Sequence, residues 1–109
     1  MPRFLTQFAY TREAWQAMVK NPMDREAAFR GLVEQMGGTF ISLDYCFGDY
    51  DGVVIYEAPD SKNALSMVLA VITPGHLKAT KTTELFTMEE MTDALKTAGG
   101  QHYSAPGQQ

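Results

Sequence analysis

The stretch that decides the fold is Tyr45-Cys46-Phe47-Gly48-Asp49-Tyr50-Asp51-Gly52-Val53-Val54-Ile55-Tyr56. Its middle, Gly48–Gly52, holds two glycines and two aspartates, the residue types that favour tight turns. The flanking residues are largely β-branched or aromatic, which is typical of strands. The pattern predicts a hairpin that joins a strand over 39–47 to a strand over 53–58, with Asp51 and Gly52 suited to a positive φ.

The segment before the hairpin predicts one strand and two helices. Residues 3–10 alternate in the manner of a strand, and Phe4, Thr6, Phe8 and Tyr10 share one face. Thr11 suits the N-cap of a helix that ends at Asn21-Pro22, because proline disfavours a helical residue before it. Asn21 can cap a second helix, which Gly37-Gly38 ends.

The segment after the hairpin predicts a helix, a strand and a helix. Asp60 suits the N-cap of a helix that runs to Ile72. A strand follows over 76–87, with Leu77, Ala79 and Leu85 on one face. Thr87 and Glu90 have the spacing of a capping box, which predicts a last helix over 88–98.

The order of these elements predicts an α+β, ferredoxin-like βαββαβ domain with an antiparallel four-stranded sheet over residues 1–98. We expect residues 99–109 to form a flexible C-terminal tail, of which residues 108–109 lie outside the part of the chain that the structure describes. Such a sheet carries its helices on one face only, so solvent or a partner meets the other face. In the second strand, alternation puts Phe40, Ser42, Asp44 and Cys46 on one face. We expect aromatic residues and Cys46 to share the bare face of the sheet with Ser42 and Asp44. A second copy is the simplest cover, which predicts a homodimer or a higher homo-oligomer.

Composition narrows the class of protein. The chain has 109 residues and a formal net charge of −4. An acidic chain of this size lacks the basic footprint that nucleic acids and membrane surfaces attract, so we expect neither partner. Cys46 is the only cysteine, which excludes an intrachain disulfide and favours a cytoplasmic location.

The hairpin resembles the signature of the GYD domain family, because Gly48, Tyr50 and Asp51 match it with Asp49 inserted. The resemblance covers roughly residues 1–98 and includes further stretches: Phe4–Thr11, Gly37-Gly38, Glu57–Asp60 and Lys81–Thr83. The family is similar to the dimeric α+β barrels, which pair sheet against sheet. This likeness implies a fold and an assembly but supplies no catalytic residues. Related barrel families include cofactor-free oxygenases, haem-handling proteins and small-molecule binders.

Four residues are candidates for a functional site. His76, the one histidine outside the tail, could act as a general base; a histidine bonded to nearby backbone is the simpler interpretation. Tyr50 is informative because a turn does not require tyrosine. Tyr45 could donate a hydrogen bond to a ligand, and Trp15 could form a pocket wall, although core packing explains Trp15 equally well. One structured histidine and no metal-ligand spacing predict no metal site, and we expect no cofactor.

Three functions remain open. The first is an oligomeric module that binds a small molecule in a cavity between sheet and helices. The second is a cofactor-free oxygenase or isomerase that acts on a small aromatic or apolar substrate, with His76 as base and Tyr45 or Tyr50 as hydrogen-bond donor. The third is a structural oligomer scaffold with a filled interior. An aromatic cavity favours the first two, and a fully packed interior favours the third.

Overall fold

The computed structural model describes residues 1–107 and contains one four-stranded antiparallel sheet and four helices. In chain order the elements are β1 (Arg3–Tyr10), α1 (Arg12–Lys20), α2 (Arg25–Gln35), β2 (Thr39–Tyr45), β3 (Gly52–Glu57), α3 (Ser61–Ile72), β4 (Leu77–Leu85) and α4 (Met88–Gly99). The strand order in the sheet is β2-β3-β1-β4. These features confirm the ferredoxin-like α+β fold. No helix within residues 1–107 has the length and apolar character needed to cross a membrane.

The core lies between one face of the sheet and the helices α2 and α3. Strand residues Phe4, Phe8 and Tyr56 are buried there against Val33 of α2 and Met67 of α3. The hydroxyls of Tyr56 and Thr6 lie 2.9 Å apart, and the Thr6 hydroxyl lies 2.9 Å from that of Thr82. Because these hydroxyls hydrogen-bond one another, the burial of the Thr6 and Tyr56 hydroxyls costs little free energy.

Side-chain caps begin all four helices. Three of the predicted caps are present: Thr11 on α1, Asp60 on α3 and the Thr87–Glu90 capping box on α4. The start of α2 differs from the prediction, because the Asp24 side chain accepts a hydrogen bond from the Ala27 amide and caps this helix. Asn21 instead lies at the C-terminal end of α1. The shift makes Arg25 the first residue of α2.

A register shift in β2 changes which residues reach the core. Phe40 pairs with Tyr56, but Ser42 pairs with Ile55, so Ile41 is skipped in the ladder. A bulge of this kind moves the following residues to the opposite face. Phe40 and Leu43 therefore both contact the core. The expected sharing of one face by Phe40, Ser42 and Asp44 is wrong for this reason.

A second register shift lies between β1 and β4. Ala9 pairs with Ala79, whereas Tyr10 pairs with Leu77. Leu77 therefore packs on the core, while Leu85 pairs with Arg3 on the other face. The prediction that Leu77, Ala79 and Leu85 share a face is wrong, because one additional residue of β4 enters the ladder at this point.

The hairpin is wider than the sequence suggests. β2 ends at Tyr45, and the Cys46 amide donates to the Asp51 carbonyl over 2.8 Å. Phe47 and Cys46 are exposed in this loop, so neither belongs to a face of the sheet. Gly48 has the positive φ, and Gly52 does not. Gly52 is required for another reason, because a Cβ atom there would overlap the Phe8 ring.

The opposite face of the sheet and the helix α4 lack partners within residues 1–107. Leu5 and Ile55 pair across β1 and β3 on the bare face. All residues of α4 are exposed, including Met88, Met91 and Leu95 on one side of the helix. The radius of gyration is 18.0 Å, whereas a compact domain of this length has about 13 Å. The last helix thus projects from the body of the protein.

Candidate functional site

A cavity of about 170 Å³ lies between the sheet and the helices α2 and α3. A cavity of ~150 Å³ with apolar walls can hold a benzene ring, so this one has room for a single six-membered ring. Its walls are mainly apolar and come from every element of the core: Phe8, Ala28, Phe29, Leu32, Leu43, Val54, Ala70, Val71, Pro74 and Leu77.

Four polar residues also line the cavity: Thr6, Tyr10, Arg25 and His76. The Thr6 hydroxyl is already paired with Tyr56 and Thr82. The Tyr10 hydroxyl lies 3.1 Å from the Tyr45 hydroxyl. Arg25 and His76 are half-buried and reach solvent. The cavity is therefore apolar with a polar end that is open to water.

The charge at this polar end comes from Arg25. Burial lowers the pKa of His76, and the positive charge of Arg25 lowers it further. The histidine is thus predominantly neutral at pH 7. Burial and the hydrogen bond with Tyr45 raise the pKa of Tyr10, with Arg25 acting in the opposite direction. The tyrosine keeps its proton, so Arg25 supplies the only charge among the described residues of the lining.

The four predicted site residues occupy different positions. His76 lines the cavity. Tyr45 lies beside it, with its ring centroid 6.1 Å from that of Phe8 and 6.4 Å from that of Tyr10. Trp15 packs edge-to-face on Tyr10 at 5.1 Å and lines an open groove along α1 rather than the cavity. Tyr50 is half-buried in the hairpin and does not line the cavity.

Arg25 is the lining residue that sequence reasoning missed. The apolar stripe of α2 includes Ala28, Phe29 and Leu32, and Arg25 stands one turn earlier on the same face. The signal was therefore present in the helical spacing. The spacing alone does not single Arg25 out, because an arginine on a helix is usually solvated.

Asp51 holds the rim of the site together. One carboxylate oxygen, Oδ2, accepts from the Tyr10 amide at 2.9 Å and from Trp15 Nε1 at 3.3 Å. The Asp51 amide donates to the Phe8 carbonyl at 2.8 Å. Asp51 thus ties the hairpin to the end of β1, where the register shifts and the Tyr10 amide needs an acceptor.

Replacing Asp51 with alanine should therefore destabilise the protein. The Tyr10 amide would lose its acceptor in a part-buried position, which costs about 1–3 kcal/mol. Asp51→Asn keeps one carbonyl oxygen and should recover part of this loss. Urea unfolding followed by Trp15 fluorescence measures both, with Asp49→Ala in the same loop as the control. Equal stability of Asp51→Ala and Asp49→Ala would contradict this role.

Comparison with known proteins agrees with this architecture. The crystal structure of MtbAldR has a TM-score of 0.57 at 13% identity, over 79% of this chain and 52% of MtbAldR. The chain thus spans about half the length of that protein. TTHA0845 from Thermus thermophilus has a TM-score of 0.52 at 15% identity, over 80% of this chain and 95% of the other. At such identities the likeness concerns the fold alone.

The search of curated proteins gave no match. The family model of the GYD domain matches residues 4–95, which include all four strands and the hairpin with Gly48, Tyr50 and Asp51. This protein therefore belongs to the GYD domain family.

Proposed function

We propose that this protein is a self-associating module that binds a small apolar or aromatic molecule in the cavity between sheet and helices. The cavity of about 170 Å³ carries the proposal. Ligand sites are typically concave, mostly apolar and provided with a few polar groups that orient the ligand. Here Phe8, Phe29 and Val54 contribute apolar walls, and Arg25 and His76 contribute the polar end. A purely structural scaffold does not require such a space, because filling it would stabilise the core.

Toluene is a suitable probe for this cavity, because it is one apolar ring. We expect saturable NMR shifts at the methyl groups of Leu32, Val54 and Leu77. Val71→Trp places a large side chain in the cavity and should abolish these shifts. Ser66→Trp is the matched control, because Ser66 lies on the same helix, is exposed and does not line the cavity. Binding that persists in a folded Val71→Trp variant, or no saturable shift in the original protein, would contradict the proposal.

Self-association is the second part of the proposal, and two surfaces support it. The bare face of the sheet presents Leu5 and Ile55, which a second copy would cover. The helix α4 has 12 residues, and isolated helices of this length are marginal in water. Its exposed side chains Met88, Met91 and Leu95 form a stripe at helical spacing. A second copy offers α4 a partner, because α3 has its own exposed stripe of Leu65, Leu69 and Ile72.

The substitution Leu95→Glu should weaken this assembly, because it places a charge in the apolar stripe of α4. Thr97→Glu adds the same charge to the opposite side of the helix and should leave the assembly unchanged. Sedimentation equilibrium at micromolar concentration measures the mass of each variant. A monomeric original protein, or equal masses for Leu95→Glu and the oligomeric original, would contradict the role of α4.

A cofactor-free reaction in the same cavity is the second candidate function. The observation in its favour is an imidazole at the end of an apolar cavity, where burial and the charge of Arg25 lower its pKa. A base must be unprotonated to accept a proton. His76 would serve as that base, and the Tyr10 hydroxyl lies on the same lining as a hydrogen-bond donor. Their ring centroids are 6.2 Å apart.

An NMR titration of His76 tests whether its pKa is lowered in the cavity. Its NMR midpoint should lie below the ordinary pKa of 6.5, and Arg25→Gln should raise it by removing a nearby positive charge. In the original protein the pKa of His76 is lower in the folded state than in the unfolded chain, so the unfolded chain binds the proton at a higher pH. The free energy of unfolding therefore falls as the pH drops below 6.5. Arg30→Gln is the control, since Arg30 pairs with Glu26 at 3.3 Å. A midpoint at or above 6.5 would remove the argument for a neutral base.

A further inference from the structure

Arg25 gives the cavity a chemical preference that its apolar walls do not. Among the residues that the structure describes, the guanidinium is the only charged group in the lining, and no carboxylate side chain lines the cavity with it. Arginine is an obligate cation, and its planar fork matches the geometry of a carboxylate. The question is whether this charge is already neutralised within the protein.

The neighbouring carboxylates are occupied elsewhere. Asp24 caps α2 through the Ala27 amide at 3.0 Å. Glu26 pairs with Arg30 at 3.3 Å. Within residues 1–107, the ion pairs that form are Arg3–Glu57 and Glu26–Arg30, and neither includes Arg25. Arg25 donates a hydrogen bond to Met23 Sδ at 3.8 Å, a weak acceptor, and its side chain also hydrogen-bonds Tyr10. Both partners are uncharged, so neither neutralises the guanidinium.

The shape of the cavity adds a second constraint. The cavity has room for about one ring, and beyond that ring the ligand reaches the half-buried Arg25 and His76. A neutral His76 adds no second positive charge at pH 7. One unpaired cation balances one negative charge, so a monoanion suits this end of the cavity better than a dianion such as a phosphate monoester.

We propose that the cavity binds a small monocarboxylate with one aromatic or branched aliphatic group, the carboxylate on Arg25 and the apolar group among Phe8, Phe29 and Val54. This inference rests on the proposed ligand-binding function and specifies its ligand class. The protein as a whole is acidic, with a net charge of −4. Its overall field therefore disfavours anions, and any preference for them comes from the local charge of Arg25.

Benzoate and benzamide test this preference, because they have nearly the same shape and differ in charge. The original protein should bind benzoate about tenfold or more tightly than benzamide, as expected of a charge-assisted hydrogen bond. The affinities come from NMR shifts of the Leu32 and Val54 methyl groups. Val71→Trp should remove the binding of both compounds, which locates it in the cavity.

Three variants isolate the role of the guanidinium. Arg25→Gln should lower the affinity for benzoate to about that for benzamide and so remove the preference. Arg25→Lys should retain part of the preference, since it keeps the charge without the fork. Arg30→Gln should retain all of it, because Arg30 lies on the same helix outside the cavity.

The possible failures are distinguishable. Equal affinities for the two compounds in the original protein, or an unchanged preference in Arg25→Gln, would overturn the carboxylate proposal while cavity binding stands. If neither compound nor toluene binds, the proposed function fails and the carboxylate proposal fails with it. If Arg25→Gln does not fold, Arg25→Lys tests the role of the guanidinium instead. A preference for benzoate in Arg25→Lys that equals that of the original protein would overturn the role of the guanidinium fork.

Discussion

Burial of one face of the sheet under two helices is the constraint on which the rest of this structure depends. Strand residues on that face form both the core and the walls of the cavity. The cavity therefore lies next to the most closely packed part of the protein. Tyr56 and Met67 are fully buried, whereas Phe8 and Val54 belong to the core and also line the cavity. The open space lies beside Tyr10 and Leu77, where β1 and β4 have their register shift.

Much of this architecture is readable from the sequence, because local chemistry determines it. The caps Thr11 and Asp60 each place a hydrogen-bond acceptor before a helical pattern, and β1 has the predicted bounds 3–10. The two register shifts are less accessible, since one additional residue in a strand depends on pairing with a distant strand. This is why the faces of Phe40 and Leu77 were predicted wrongly. The alternation of residues along a strand predicts which face of the sheet each one occupies only as far as the first bulge.

The residues of the candidate site also differ in how far the sequence reveals them. His76 attracts attention in the sequence because histidine is rare here, and the structure does place it on the cavity. Arg25 does not stand out, because arginine on a helix is usually solvated. Its significance comes from tertiary structure: two adjacent carboxylates are engaged, and the sheet lies opposite. Tyr50 is the reverse case, since its place in the signature suggests a ligand but its ring does not line the cavity. In this signature it is Asp51 whose contacts reach the site, through the Tyr10 amide and Trp15.

The positions of the cavity and of the unpartnered surfaces also bear on how binding and assembly relate. The cavity is enclosed by β1, α2, α3 and their neighbours within one chain, on the face that carries the helices. The bare face with Leu5 and Ile55 lies on the other side of the same sheet, and α4 projects from the body. A ligand and a second copy on this bare face therefore do not compete for the same surface, whereas the α3 stripe of Leu65, Leu69 and Ile72 belongs to a helix that also lines the cavity. Any coupling between the cavity and the bare face passes through the sheet, and β1 is the direct path, because its alternate residues face the two sides. Protein interiors are close-packed and have low compressibility, so they transmit strain between such surfaces. The register shift between Ala9 and Tyr10 lies on this strand, at the point where the Asp51 carboxylate accepts a hydrogen bond from the Tyr10 amide.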